Sequence, residues 1–191
     1  PSGRLAMSYP LTHRDAPSAR YYPGAECIAD HKESIFVGYR YYETANKPVL
    51  FPFGYGLSYT SFSYGGLHVE KTTRRTGDVA ENTVLTATLT VTNTGDVAGA
   101  DVIQLYASKP NSAVFRTHHE LKAFQKVYLE PGESKTIQLL LDAQAFMYFN
   151  PQHHCFVREA GEYILEIRPN AHDDAVLRQT ILFDTDTETA E

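Results

Sequence analysis

Cysteine, excess positive charge and long apolar runs are all scarce in this chain, and each shortage narrows what it can be. Cysteine occurs only at Cys27 and Cys155 of 191 residues, too few for a disulfide-stapled scaffold. A bridge between the two stays open, but two isolated thiols read first as free and buried. That reading favours a reducing compartment, the cytoplasm ahead of the periplasm or the exterior. A formal net charge of −6 argues against nucleic acid as the main partner, because phosphate recognition wants a basic face. No run approaches the roughly 18 apolar residues of a membrane span, and the first residues carry no signal-peptide pattern. Phosphate-cradling glycine loops, the Gly-x-Ser-x-Gly elbow and Cys-x-x-Cys or His-x-x-x-His spacings are missing too. The expectation is therefore no cofactor, no metal, no nucleic acid and no membrane. With 42% hydrophobic and 21% charged residues, the composition is that of an ordinary globular protein.

What is present starts with Leu50-Phe-Pro-Phe-Gly-Tyr-Gly-Leu-Ser-Tyr-Thr60. Pro52 fixes its φ, and Gly54 and Gly56 permit backbone that a Cβ would forbid. Phe51, Phe53, Tyr55 and Tyr59 supply ring surface that must pack on something. Such a loop suits a junction packed between two bodies and poorly suits a free linker, which would be polar.

On either side of this loop the chain differs in kind. Residues 1–60 do not read as a complete domain. Arg4 to Tyr9 is a short strand-like run ended by Pro10, Thr12 to Gly24 is a proline-rich loop, and Ile35 to Tyr42 is a strand candidate by its β-branched and aromatic content. From Ser61 the pattern turns to strands: Phe62–Glu70, Val84–Thr92, Asp101–Ala107, Leu121–Leu129, Lys135–Leu141, Gly161–Ile167 and Leu177–Phe183. In Val84–Thr92, Leu85, Ala87, Leu89 and Val91 alternate with threonines, so the apolar set faces inward. Asn93-Thr-Gly-Asp96 and Glu130-Pro-Gly-Glu133 have turn chemistry. About seven strands with punctuated spacing predict an antiparallel β-sandwich. The acidic tail from Asp184 to Glu191 is expected to fray.

Five segments in order, Pro1-Ser-Gly-Arg-Leu, Ile35 to Tyr42, Leu50 to Thr60, Val91-Thr-Asn-Thr-Gly95 and Glu120-Leu-Lys-Ala-Phe124, resemble the C-terminal end of glycoside hydrolase family 3 enzymes, the β-glucosidases and β-xylosidases. The resemblance runs along nearly the whole chain. It implies a mainly β fold, a fibronectin III-like (immunoglobulin-like) antiparallel sandwich over residues 61–191. Residues 1–60 would be the C-terminal tail of an α/β sandwich domain plus an aromatic interdomain linker. Because Pro1 opens inside a motif, the true N-terminus is expected elsewhere. Thr117 stands where the family usually has Pro, Ala123 where it has Gly, and Arg168 to Asp173 replaces a Gly-x-Ser-Ser-x-Asp turn; these departures touch loop shape.

The same resemblance implies retaining exo-hydrolysis of a β-linked glucoside, or of a xyloside, without a cofactor. Both catalytic carboxylates would lie on a barrel and an α/β sandwich domain that 191 residues cannot hold beside this sandwich. No catalytic residue is therefore assigned to this chain, which is expected to brace those two domains and to be inactive alone. Its partners would be those domains and a β-linked oligosaccharide or aryl glycoside, with a homo-oligomer left open. Glu26, Asp30, Glu33 and Glu43 read as solvated surface charge. Arg40 and Tyr41 are the substrate-binding candidates, for contact with the outer sugar subsites, since rings stack on sugars and a guanidinium donates fixed hydrogen bonds. Burial of the same cluster at a domain interface is the competing reading. His118-His119 and His153-His154-Cys155 read as surface or loop residues, adjacent strand residues pointing to opposite faces. A stand-alone binding module is the rival from another class.

Overall fold

The computed structural model describes residues 1–24, 28, 31–76 and 79–190, the side chains of 73–84, 143 and 190 aside. Its order is β1 (Tyr9–Pro10), α1 (Tyr39–Thr44), β2 (Val49–Phe51), β3 (Phe62–Thr76), β4 (Val79–Asn93), β5 (Gly99–Ser108), β6 (Glu120–Leu129), β7 (Ser134–Asp142), β8 (Tyr148–Asn150), β9 (Cys155–Arg158), β10 (Gly161–Arg168), β11 (Leu177–Phe183) and β12 (Thr187–Ala190). One sheet runs β3-β4-β7 and a second β11-β10-β5-β6. All their pairings are antiparallel. These are the seven strands expected from the sequence, and together they make a β-sandwich.

The alternation in β4 decides which side is core. Leu85, Ala87, Leu89 and Val91 are buried and meet Ile137, Leu139 and Leu141 of β7 and Ile103, Leu105 and Ala107 of β5. From β10, Tyr163, Leu165 and Ile167 complete the packing, with Phe146 and Phe183 closing one end. The threonines between the apolar positions face outward, where Thr90 meets Thr136 and Thr92 meets Ser134 across the strand pair. Cross-strand pairs of this kind support the sheet from its wet side. Asn93 ends β4 fully buried. Its amide donates to the carbonyls of Val97 and Leu129, and its Oδ1 accepts from Thr60 and Gly95.

Three expectations need correction. Ile35 to Tyr42 is not a strand: Gly38, at φ 55, breaks the extension, and the N–H groups of Tyr41 and Tyr42 then bond back to the Gly38 carbonyl to start α1. A short apolar run cannot be assigned by periodicity alone, and here the one-turn spacing of Tyr39 and Tyr42 wins over β propensity. Between Arg4 and Pro10, only Tyr9–Pro10 pairs, with Val49–Phe51. The acidic tail is not all frayed either, because β12 pairs with β9, which pairs with β8 in a third small sheet.

Leu105 is wholly buried between the two sheets. Leu105→Ala is expected to cost about 2–5 kcal/mol by lost transfer energy and an unfilled cavity, measured as a shift in the urea midpoint at constant slope.

Candidate functional site

The aromatic loop packs against β5, and two buried polar side chains on opposite faces of that strand, Asp101 and Gln104, hold it there. Asp101, 2% exposed, forms an ion pair with Arg4 and accepts a hydrogen bond from the Tyr64 hydroxyl. The second nitrogen of the same guanidinium reaches the Gly56 carbonyl at 3.2 Å. Burial, with the Asp101 carboxylate beside it, pushes the Tyr64 phenol up. Gln104 donates to the carbonyls of Gly54 and Pro169 at 3.2 and 2.8 Å, while its oxygen accepts from the Tyr106 hydroxyl at 2.8 Å. Both glycines of the loop are required. A Cβ on Gly54, at φ 81, would lie 2.2 Å from Gln104 Oε1, and one on Gly56 would lie 2.4 Å from the Gly3 carbonyl.

Phe53 stacks on Tyr39 at 4.7 Å, and Tyr39 in turn meets the edge of Tyr106 and the ring of His119. The Tyr39 hydroxyl accepts from the Leu121 amide at 2.9 Å, which ties α1 to the start of β6. His119 is not a surface residue: it is 2% exposed. Burial, with the Arg168 charge adding to it, lowers its imidazole to about 4, while the Ala171 backbone opposes the shift. Glu43 is not solvated surface charge either. Its side chain is 11% exposed, burial raises its carboxyl, and His172 Nδ1 lies 3.3 Å away. Glu26 and Asp30 lie outside the described residues, as does Cys27, while Glu33 is half-buried and Cys155 is a free buried thiol.

Arg40 and Tyr41 do not face one site. Arg40 Nε lies 3.6 Å from Glu120, whose other oxygen holds Lys122 Nζ at 2.5 Å. Burial opposes ionisation of Glu120, but Lys122 and Arg40 hold its carboxyl below the ordinary value. Arg40 lines an open cleft of about 760 Å³ with Ile35, Phe115, Arg116, Tyr148 and Phe149, within the range of small-ligand pockets. Tyr41 lies edge-on to Tyr42 and lines a second cleft with Arg14, Arg20, Tyr21 and Lys32. Phe115, 76% exposed and in ring contact with Phe36 at 5.1 Å, forms the ridge between the clefts. The sequence reading passed over Phe115, whose only signal is an aromatic in a polar loop. Around this junction a row of apolar side chains stays uncovered: Met7, Tyr9, Leu11, Leu50, Phe51, Leu57 and Tyr59, all at least 39% exposed.

A fibronectin type III-like domain model matches residues 101–171. The chain is 41% identical over 181 residues to a thermostable β-glucosidase B of Acetivibrio thermocellus, 95% of this chain but 23% of that protein. It is 45% identical over 175 residues to an exo-α-(1→6)-L-arabinopyranosidase of Bifidobacterium longum, 92% of this chain and 22% of that one. Among solved structures, a glycoside hydrolase family 3 β-glucosidase of Bifidobacterium adolescentis superposes with a TM-score of 0.86 at 42% identity, over 96% of this chain and 26% of that one. β-Glucosidase 3B of Thermotoga neapolitana, crystallised with glucose, superposes with a TM-score of 0.88 at 32% identity, over 100% and 26%. The chain belongs to glycoside hydrolase family 3. It corresponds to the C-terminal part of those enzymes and spans about a quarter of their length.

Two predictions test the junction. Arg4→Met leaves the Asp101 carboxylate with Tyr64 as its main partner, and breaking a buried pair of this kind costs about 3–5 kcal/mol. Limited proteolysis should then cut within residues 1–60 sooner than in the parent, and adding Asp101→Asn should restore much of the protection. His119 gives a pH dependence of known sign. Above pH 6.5 the imidazole is neutral in both states, and between 6.5 and about 4 only the unfolded chain takes up the proton. Stability therefore falls as the pH drops through that window, by up to about 3 kcal/mol from this group. In urea titrations His119→Gln should flatten that part of the curve relative to the parent.

Proposed function

We propose that the protein works within a retaining, exo-acting β-glucosidase that removes terminal β-D-glucosyl residues, its own part bracing the catalytic domains. The observation that carries this is one of proportion. The likeness covers 95% of the chain, yet the relatives are about four times longer, and the first of them is a β-glucosidase. In this reading residues 1–60 are the tail of the α/β sandwich domain with its linker, and residues 61–191 are the fibronectin-like domain. The uncovered apolar row on residues 7–59 is the face that meets the barrel and α/β sandwich domains, since exposed apolar surface of this extent marks an interaction site. The two carboxylates of a retaining mechanism, about 5 Å apart, lie on those domains. No cofactor is needed.

Arg40 and Tyr41 are proposed as contacts to the outer sugar subsites, Arg40 through the cleft it shares with Phe115. The ion pair to Glu120 orients the guanidinium without covering it, as its side chain stays 37% exposed. A second reading, cleavage of terminal α-L-arabinopyranosyl residues, is favoured by the 45% identity to an arabinopyranosidase. Nitrophenyl β-glucoside, β-xyloside and α-L-arabinopyranoside distinguish these readings when offered to the chain alone and mixed with the polypeptide encoded upstream of Pro1. Hydrolysis only in the mixture is expected, fastest on the glucoside. Hydrolysis by the chain alone would mean that its own carboxylates are catalytic, and neither association nor activity would return it to a binding module. In the active mixture Arg40→Ala should raise KM for an oligosaccharide about 3- to 10-fold with kcat little changed, the scale of one or two lost hydrogen bonds.

A further inference from the structure

The small sheet β8-β9-β12 borders the Arg40 cleft through Tyr148 and Phe149 of β8, and one end of it gathers three unlike metal-ligating side chains. The donor atoms of His153, Cys155 and Glu188 all lie within 4.8 Å of one another. Their meeting follows from register. Cys155 pairs with Ala190 and Val157 with Glu188, so Glu188 sits one step along the same face as Cys155. His153 comes from the turn between β8 and β9. Asn150 Oδ1 accepts from the amides of Gln152 and His153 at 2.9 and 3.4 Å, and His154 takes the left-handed φ of 49 that brings the chain back into β9. The β8–β9 hairpin thus contributes His153 and Cys155, and the distant strand β12 contributes Glu188. Among the described residues this is the one group of His, Cys and acidic side chains close enough for a shared ion.

We propose that His153, Cys155 and Glu188 form a binding site for a borderline-soft divalent cation of the zinc class, with one position left to solvent. The donor set selects the ion. A thiolate and an imidazole suit Zn²⁺ and its neighbours, whereas Mg²⁺ and Ca²⁺ take oxygen. With metal–nitrogen and metal–oxygen bonds near 2.1 Å and metal–sulfur near 2.3 Å, tetrahedral donors sit about 3.6 Å apart. The present spread has to close by about 1 Å on that measure. His153 and Glu188 are both exposed and free to turn, while Cys155 is the buried fixed point. Binding forms one metal–sulfur bond, and the Cys155 thiol proton passes to solvent or buffer; His153 gives a ring lone pair and Glu188 a carboxylate oxygen. The site would pin the C-terminal strand to the β8–β9 hairpin, closing the chain between Cys155 and Glu188. It is independent of the glycosidase reading.

Cobalt(II) is the probe, since a cobalt–thiolate bond absorbs in the near ultraviolet where aqueous cobalt does not. Titrating the chain with Co²⁺ under reducing conditions should give that band at one equivalent, and Zn²⁺ should bleach it. Cys155→Ser should abolish the band and Cys27→Ser should keep it. Glu188→Gln and His153→Asn, both on the exposed rim, should weaken binding by at least about tenfold, the loss that follows even an outer partner's removal. Zn²⁺ should also raise the melting temperature of the parent and of Cys27→Ser, and leave Glu188→Gln nearly unmoved. No band at millimolar cobalt, a band that survives Cys155→Ser, or a band unaffected by both rim variants would overturn the proposal.

Discussion

A carboxylate buried on the same face of β5 as Ile103 and Leu105, between the two sheets, is the constraint around which the junction is organised. Asp101 cannot be buried alone, because an unpaired charge away from water costs several kcal/mol. Its partners come from two directions: Tyr64 from the neighbouring sheet and Arg4 from a segment nearly a hundred residues earlier. By also reaching the Gly56 carbonyl, Arg4 fixes the aromatic loop over the strand. Three backbone hydrogen bonds, from Leu5 to Tyr55, from Gly54 to Leu5 and from Ala171 to Phe53, then sew the N-terminal strap, the loop and the β10–β11 connection into one layer. Without Arg4, that layer would lie over a buried charge.

Gln104 does for neutral groups what Asp101 does for charge. Both of its N–H groups donate, to the Gly54 and Pro169 carbonyls, and its oxygen accepts from the Tyr106 hydroxyl. A buried network that is fully satisfied adds rigidity as well as stability, whereas a half-satisfied one is a liability. The steric demand of the glycines follows from it: Gly54 has no Cβ because the Gln104 amide occupies that space. Loop sequence and strand sequence are thus two halves of a single packing solution. A strap held this firmly on its inner side leaves the apolar side chains of its outer side uncovered.

The sandwich was legible in the sequence because its signal is local. Leu85 to Val91 alternate with threonines, and period-two patterns flanked by Asn-Thr-Gly-Asp and Glu-Pro-Gly-Glu turns survive without tertiary information. Ile35 to Tyr42 was misread because β-branched and aromatic residues say only that a segment is half-buried; Gly38 and the packing of Tyr39 on Phe53 decided for a helix. His119 was misplaced for the same reason, since nothing in His118-His119 says which of the two turns inward. The strands β8, β9 and β12 are three or four residues long, below the length at which alternation can be counted.

The candidate sites divide along the same line. Arg40 and Tyr41 are neighbours in sequence, and sequence reasoning joined them in one role. On a helix, successive residues point about 100° apart, and the two side chains line different clefts on either side of Phe115. His153 and Glu188 are 35 positions apart, and the second lies in a tail that the sequence alone leads one to expect frayed. Only the β9–β12 pairing brings them together. Adjacency in the chain therefore joins residues that line different clefts and says nothing of side chains that strand pairing brings together. In a β-rich protein, partners are set by strand register, and register across a long connection depends on which faces are buried, information that no short window of sequence contains.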